Sequence, residues 1–211
     1  MTKIKILVAG HGGQGVLLLS DYIAYTAMLD GKHVAYTPSY GPETRGGKAK
    51  CYVVISDEEV DNPIVEDPDV EIIMNQPSMD FLNYLRPKGL FMYNKSLVDS
   101  APDRDDVKSF GIPATEIADQ LKFDVPKGTV ADTKMFANAV MFGSFIELCA
   151  PKIGEELLKE SLKHFLAGKK EELTTLNYLG LTRGREFVRA NPPEESAPQA
   201  PFHCIPAWAA Q

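Results

Sequence analysis

The stretch KIKILVAGHGGQGVLLLSDYIAYTAMLD, residues 3–30, predicts a strand, a glycine loop and a helix in immediate succession. Ile4 to Ala9 form a nearly continuous apolar run, which is typical of a strand buried on both faces of a parallel sheet. After the loop, apolar side chains recur at helical spacing as far as Asp30-Gly31, where the helix is expected to end. These elements predict the first half of a βαβ unit.

The glycine loop itself has two interpretations. Gly10, Gly12 and Gly15 stand at G-x-G-x-x-G spacing, so the chain can turn tightly and begin a helix with its backbone open to a ligand. Free N–H groups at such a helix start favour a phosphate or a carboxylate. Alternatively, the glycines only permit close packing between strand and helix.

Binding of a nicotinamide dinucleotide is not favoured by the residues that follow. That function needs an acidic residue about 20 positions further on, at the end of the second strand, to hold a ribose. Asp30 stands at about this distance, but it belongs to the turn before the second strand. The predicted second strand, His33 to Thr37, ends at Pro38 without an acid.

The rest of the chain alternates predicted strands and helices with short connections, which is the pattern of a wound α/β sheet. Further strands are predicted at 51–56, 70–75 and 90–94, with another short strand and helix within 106–121 and a short helix after Pro77. A helix at 134–150 is apolar nearly all round, so it is either central to the domain or pressed against another chain. We expect a Rossmann-like three-layer α/β fold with a mostly parallel central sheet and a helical C-terminal part.

A second unusual loop, SYGPETRGGKAK, occupies residues 39–50 between two predicted strands. It differs from a phosphate-binding P-loop, because a second glycine, Gly47, precedes Lys48 and an alanine follows it. Arg45 could grip a carboxylate or a phosphate with two hydrogen bonds, oriented by Glu43. The alternative is an internal brace in which Glu43 and Arg45 hold only the loop itself.

Composition and charge limit the classes of partner. The 211 residues carry a formal net charge of −7 without a basic cluster, which argues against a nucleic-acid surface. The sequence has neither a secretory leader pattern nor an apolar run long enough to span a bilayer, so a cytoplasmic protein is expected. Cys51, Cys149 and Cys204 are scattered without C-x-x-C spacing, so we expect no iron–sulfur cluster or metal on this chain.

The composition changes at residue 191, where a tail rich in proline and alanine begins. Residues 1–190 are therefore predicted to form the α/β domain, and residues 191–211 an extended C-terminal tail. Phe202, Ile205 and Trp208 are unusual in such a tail. We expect the tail to dock on a partner or on its own domain.

Four segments together resemble the gamma subunit of 2-oxoacid:ferredoxin (acceptor) oxidoreductases, which act on pyruvate, 2-oxoglutarate or ketoisovalerate. They are AGHGGQG at 9–15, SYGPETRGG at 39–47, the strand that ends in Ser56-Asp57, and NAVMFGSFIEL at 138–148. The similarity spans most of residues 3–190, and only the tail falls outside it.

The resemblance implies one subunit of an enzyme that oxidatively decarboxylates a 2-oxoacid to its acyl-CoA and passes the electrons to ferredoxin. It also implies alpha and beta partner subunits, and in some enzymes a ferredoxin-like delta subunit. Thiamine diphosphate, Mg²⁺ and [4Fe–4S] clusters would lie on or between those partners. The gamma-type domain is thought to shape the coenzyme A side of the site, and the isolated chain is expected to be inactive.

We expect the two loops to form the functional surface, which would bind coenzyme A or another anion, and no residue is predicted as a catalytic nucleophile or base. The residues concerned are Gly10, His11, Gly12, Gly13, Gln14, Gly15, Ser39, Tyr40, Glu43, Arg45, Gly46 and Gly47. The substrate stays open among 2-oxoglutarate, branched-chain oxoacids, pyruvate and indolepyruvate, with 2-oxoglutarate preferred. The alternatives are a purely structural subunit and a freestanding dinucleotide- or anion-binding module.

Overall fold

The computed structural model describes residues 3–40, 47–100, 104–125 and 132–193. Within these residues six strands form one sheet: β1 Lys3–His11, β2 His33–Tyr40, β3 Lys48–Ser56, β4 Val70–Ile73, β5 Leu90–Asn94 and β6 Lys108–Ile112. The α-helices are α1 Val16–Leu29, α2 Ala114–Gln120, α3 Ala137–Cys149, α4 Glu155–Leu166 and α5 Glu171–Ala190. Short 3₁₀ segments occupy Gln76–Tyr84, Leu121–Phe123 and Thr133–Phe136.

The strand order in the sheet is β2-β3-β1-β4-β5-β6. Strands β1, β4, β5 and β6 pair in parallel, whereas β3 pairs antiparallel with both β1 and β2. Strand β2 therefore runs in the same direction as β1, and only β3 is reversed. The predicted mostly parallel α/β sheet is confirmed, but β2 is not the direct neighbour of β1 that a simple βαβ unit would give.

The prediction that Pro38 ends the second strand is wrong, because β2 continues to Tyr40. Strand β2 lies at the edge of the sheet and pairs only with β3. An edge strand tolerates proline, since the N–H that proline lacks can face away from the neighbouring strand.

The sheet is covered on both faces, which gives the expected three layers. One face packs under the α-helices, and its hydrophobic cluster joins Ile6 and Val8 of β1 to side chains from all five helices. The opposite face carries a smaller cluster, in which Phe91 of β5 packs with Leu82 and Leu85 of the segment after β4. Alternate residues of a strand point to opposite faces, so a sheet buried on both sides needs the continuous apolar runs seen in the sequence.

Helix α3 is central to the domain, and nearly all of its side chains are buried. It lies very close to α5 because glycines face backbone at the crossing: a Cβ on Gly143 would lie 1.9 Å from the Leu181 carbonyl oxygen, and one on Gly184 would lie 2.0 Å from that of Val140. Gly143 and Gly184 therefore permit the close approach of the two helices.

Helix α5 ends at Ala190, the last residue of the predicted domain. Residues 194–211 of the predicted tail lie outside the described residues, so its docking stays a prediction. No helix in the described ranges is long and apolar enough to cross a lipid bilayer.

Candidate functional site

The candidate site lies where the chain changes sides in the sheet. After β1 the chain builds β2 and β3 on one side of it, and β4, β5 and β6 on the other. The carboxyl ends of the adjacent parallel strands β1 and β4 therefore meet at a topological switch point. In open α/β sheets a crevice opens at such a point, and ligands bind there.

Helix α1 begins at this switch point with its N-terminus uncapped. Gly15 is its N-cap residue in the left-handed conformation, with φ 72°, and no side chain caps the helix. The first turn of α1 also carries no acidic residue. The first N–H groups of a helix have no partner within it, so they attract an anion at this position.

The glycines of the loop divide into two kinds. A Cβ on Gly10 would lie 2.9 Å from Cβ of Met74, and one on Gly15 would lie 2.5 Å from Nδ2 of Asn138, so both positions serve close packing. Gly13 has φ 96° and open space around its Cα, and Gly12 is exposed like Gly13. The structure therefore joins the two interpretations: Gly10 and Gly15 allow packing, and Gly13 leaves its backbone accessible.

Gln14 ties the loop to the end of β4. Its Oε1 accepts a hydrogen bond from the His11 backbone N–H at 2.8 Å and another from Nδ2 of Asn75 at 2.6 Å. Asn75 in turn accepts from the Ser78 N–H at 3.1 Å through its own Oδ1. Gln14 therefore fixes the loop from within, and its amide oxygen is already used.

A second polar contact lies at the end of β5. Nδ2 of Asn94 donates to Oγ1 of Thr115 at 2.8 Å, which joins the strand to the start of α2. Oδ1 of Asn94 accepts from the Ser96 N–H at 3.3 Å. Each of the strands β1, β4 and β5 thus has an amide side chain at or just beyond its carboxyl end. These are Gln14, Asn75 and Asn94, respectively, and they lie at one edge of the sheet.

A cavity of about 250 Å³ opens between these strand ends. Lys134 is exposed and places a cation on its wall, while Asp132 accepts a hydrogen bond from the Lys134 N–H at 2.9 Å, as expected for the cap of the following helix. The lining residues are Gly13, Gln14, Met74, Asn94, Leu97, Thr115, Asp132, Lys134, Met135 and Ala137. The glycine loop that leads into an uncapped helix start, together with the cation of Lys134, suits a negatively charged group, and the carboxylate of Asp132 on the same wall opposes it.

The second loop begins and ends beside the glycine loop. The Gly12 N–H donates to the Gly47 carbonyl oxygen at 3.0 Å, and His11 pairs with Lys48 in the sheet register. Ser39 and Tyr40 end β2 at the same edge, opposite Lys50 and Ala49. Glu43, Arg45 and Gly46 lie outside the described residues, so their contacts stay predictions.

The strand order also opposes a dinucleotide site of the usual kind. In that fold the acid that holds the ribose ends the parallel strand beside β1. Here the neighbour of β1 on that side is the antiparallel β3, whose amino end meets the glycine loop. The second parallel strand, β2, lies one position further away.

Sequence reasoning missed Asn75, Asn94, Thr115 and Lys134. Asn75 and Asn94 could have been found from the sequence, because each is the last residue of a predicted strand, VEIIMN and LFMYN. A polar residue at the carboxyl end of a buried parallel strand is a candidate for a site at that edge of the sheet. Thr115 and Lys134 can be recognised as site residues only in the folded structure, in which α2 and α3 lie against the strands.

The described residues hold no group of three or more His, Cys, Asp or Glu side chains arranged to bind a metal ion. Cys51 in β3 and Cys149 in α3 are both buried, and neither forms a disulfide within the described residues.

Comparison with protein families matches residues 5–187 to the model described as pyruvate ferredoxin/flavodoxin oxidoreductase. Among curated proteins, the chain is 36% identical over 190 residues to the ketoisovalerate oxidoreductase subunit VorA of Methanothermobacter thermautotrophicus, which covers 90% of this chain and 37% of VorA. It is 32% identical over 194 residues to the 2-oxoglutarate synthase subunit KorC of the same organism, which covers 87% of this chain and 94% of KorC. The chain thus spans a little over a third of VorA but nearly all of KorC.

Two solved structures share the fold. The 2-oxoglutarate:ferredoxin oxidoreductase of Magnetococcus marinus, with 2-oxoglutarate, coenzyme A and succinyl-CoA bound, has a TM-score of 0.78 at 25% identity over 94% of this chain and 34% of that one. The gamma subunit of a keto/oxoacid ferredoxin oxidoreductase from Geobacter sulfurreducens has a TM-score of 0.67 at 26% identity over 89% of this chain and 99% of that one.

Proposed function

The chain belongs to the pyruvate ferredoxin/flavodoxin oxidoreductase family, and we propose that it is the gamma subunit of a multisubunit 2-oxoacid:ferredoxin oxidoreductase. The complex would decarboxylate a 2-oxoacid, transfer the acyl group to coenzyme A and pass the electrons to ferredoxin. Its partners would be alpha and beta subunits, with a ferredoxin-like delta subunit in some assemblies. The nearly complete coverage of KorC and of the Geobacter gamma subunit supports a separate subunit of this kind.

The role proposed for this chain is to form the coenzyme A side of the site. One observation carries this role: the glycine loop that leads into the uncapped start of α1 lines, through Gly13 and Gln14, a cavity at the β1/β4 switch point, and the cation of Lys134 lies on the wall of the same cavity. Coenzyme A is a polyanion, and its phosphates are the groups that a helix N-terminus and a lysine attract. A cavity of about 250 Å³ would hold one end of such an extended molecule.

The redox and thiamine chemistry is assigned in this proposal to the partner subunits. Cluster binding draws several cysteine thiolates to one place, whereas the described cysteines lie in different elements, Cys51 in β3 and Cys149 in α3. The described residues therefore do not fit a cluster.

For the substrate we propose 2-oxoglutarate, supported by the match over nearly all of KorC. Ketoisovalerate is the second candidate, because the identity to VorA is higher, 36% against 32%. A subunit on the coenzyme A side would not itself select the oxoacid, so the assembled enzyme has to be assayed with each one.

The test of the coenzyme A role is Lys134→Ala in the assembled complex. Loss of a charged contact with a phosphate should raise the KM for coenzyme A about five- to tenfold, which corresponds to about 1–1.4 kcal/mol, while the KM for the oxoacid stays unchanged. Lys152→Ala is the matched control, because Lys152 is also exposed but lines no part of this cavity. An unchanged KM for coenzyme A in the Lys134 variant would favour a purely structural subunit.

Arg45→Ala extends the same assay to the second loop. If Arg45 grips a phosphate or carboxylate, the KM for coenzyme A should rise while the subunits still assemble. If Arg45 only braces its loop with Glu43, assembly should weaken and the KM should stay the same.

A further inference from the structure

An open groove lies between the end of α2 and the last turns of α5, away from the candidate site. Its cavity measures about 570 Å³, and Phe123 beside it is 79% exposed. The lining combines apolar side chains, Ile117, Leu121, Phe123 and Phe187, with the ion pair of Arg183 and Asp124. An exposed aromatic side chain beside an apolar groove indicates a surface that is covered by another segment.

A second cavity of about 470 Å³ continues the groove along β6. It shares Phe187 and Asn191 with the first cavity, and Pro192 and Pro193 form part of its wall. The described chain therefore ends inside the same depression that Phe123 borders. Whatever follows Pro193 starts at this surface.

The segment that follows is the tail, residues 194–211, and its composition matches the groove. Glu194 and Glu195 come directly after Pro193, where Lys95 and Lys108 line the cavity beside β6. Three large apolar side chains, Phe202, Ile205 and Trp208, follow further on. Opposite charges near the exit point and apolar residues beyond it suit a segment lying on this surface.

The reach of the tail is also sufficient. The nine residues from Pro193 to Phe202 can span roughly 30 Å when extended. The wall that α5 contributes between Arg183 and Asn191 is only about 12 Å long at the helical rise per residue.

We propose that residues 194–211 fold back onto their own domain and cover the groove between α2 and α5, with the apolar side chains of the tail packed around Phe123. The docked tail closes an apolar surface that the domain would otherwise expose. The experiments below distinguish this docking from occupation of the groove by a second copy of the chain.

Trp208 provides the first test, because it is the only tryptophan of the chain. In the full-length chain its emission should lie at short wavelength and be shielded from acrylamide. Phe123→Ser should shift the emission to longer wavelength and restore quenching. Because the side chain of Phe123 is exposed, the substitution should leave the fold of the domain intact.

The matched control is Ile64→Ser, because Ile64 is 64% exposed and lines neither cavity. This variant should leave the emission of Trp208 unchanged. A fully solvated Trp208 in the unaltered chain would overturn the proposal, as would shielding that Phe123→Ser does not affect.

Cross-linking supplies a second, independent test. Cys51 and Cys149 are buried, so Cys204 in the tail is the thiol to be trapped. A cysteine placed at the exposed groove residue Gln120 should form an intrachain disulfide with Cys204 under mild oxidation, and one placed at the exposed Asp61 should not. A disulfide between two chains, with a yield that falls when the oxidation is carried out at lower protein concentration, would instead assign the groove to a second copy. Equal cross-linking at both positions would overturn the proposal.

Discussion

At the residue scale, the amide of Gln14 holds the glycine loop in the shape that leaves the start of α1 open. One oxygen accepts two hydrogen bonds, from the His11 N–H and from the Asn75 side chain. The sequence suggested Gln14 as a member of the site but not this bracing role. The role depends on β4 lying beside β1, and a sheet order cannot be read from one strand and its loop.

Replacing Gln14 by leucine should destabilise the loop. The change keeps the size of the side chain but leaves the His11 N–H and the Asn75 amide without an acceptor, which should lower the free energy of unfolding by about 1–2 kcal/mol. Denaturant unfolding of Gln14→Leu, Asn75→Ala and the double variant measures the effect and its coupling.

The same substitution at an exposed glutamine provides the control for this loss of stability. The same substitution at the exposed Gln120, Gln120→Leu, should change stability by less than about 0.5 kcal/mol. Strict additivity between Gln14→Leu and Asn75→Ala would contradict the bracing role.

Glu71 is a second residue whose behaviour follows from its surroundings. It lies in β4 and is fully buried, and among the described residues neither of its carboxylate oxygens has a hydrogen-bond partner. Burial raises the pKa of this carboxyl to about 8, an effect that the charge of Arg104 offsets only in part. The folded protein therefore holds a proton on Glu71 that the unfolded chain releases near its ordinary pKa of 4.5.

This pKa difference predicts a pH dependence of stability. Because the folded state binds the proton more tightly, the contribution of Glu71 is fully present below pH 4.5 and is lost as the pH rises through about 8. Glu71→Gln removes this component, so the free energy of unfolding, measured with denaturant from pH 5 to pH 9, should fall less steeply in the variant.

The exposed Glu59 provides the matched control, and Glu59→Gln should follow the pH profile of the unaltered chain. Parallel profiles for Glu71→Gln and the unaltered chain would show that Glu71 titrates normally in the folded state.

At the element scale, the prediction succeeded wherever a strand was apolar on both faces. Strand β5 spans Leu90–Asn94, as its apolar run predicts. Strand β3 starts three residues earlier than predicted, at Lys48, because exposed or half-buried lysines alternate with the buried Ala49. An alternating start gives a weaker signal than a continuous apolar run.

The antiparallel direction of β3 could also have been predicted from the length of the connection between β2 and β3. Only seven residues, 41–47, separate β2 from β3. A parallel pair needs a crossover of about a dozen residues or more, so a short connection favours an antiparallel hairpin. The hairpin brings Gly47 back to the glycine loop, where its carbonyl oxygen accepts from the Gly12 N–H, and this return unites the two loops that the sequence had suggested separately.

The contact between α3 and α5 depends on glycine, and alanine should not fit there. Gly184→Ala would place a methyl group 2.0 Å from the Val140 carbonyl oxygen, and Gly143→Ala would place one 1.9 Å from that of Leu181. Alanine ordinarily favours a helix over glycine, but here each change should lower the free energy of unfolding by about 3 kcal/mol or more because the helices must separate.

The matched control is Gly154→Ala, where nothing lies within 4 Å of the added carbon and φ is −70°. This variant should unfold within about 0.5 kcal/mol of the unaltered chain. Equal stability of Gly184→Ala and Gly154→Ala in denaturant unfolding would contradict the tight crossing.

At the scale of the whole molecule, the fold places every described part of the two loops on one edge of a mixed sheet. The sequence suggested the loops because their glycines and charged residues are conspicuous, and it suggested the family because the loops occur together with the apolar helix now seen as α3. The cavity wall formed by Asn94, Thr115 and Lys134 could not be predicted, since these residues come from three elements that only the folded sheet brings together.

The central claim is that this chain works as the gamma subunit of a 2-oxoacid:ferredoxin oxidoreductase. Its most direct test is affinity purification of the chain, tagged at its N-terminus, from its native cells under anaerobic conditions, followed by an assay of coenzyme A-dependent ferredoxin reduction with each 2-oxoacid. We expect thiamine- and cluster-bearing subunits to copurify and the eluate to be active, with 2-oxoglutarate as the preferred substrate. A chain that elutes alone and is inactive with every 2-oxoacid would contradict the claim.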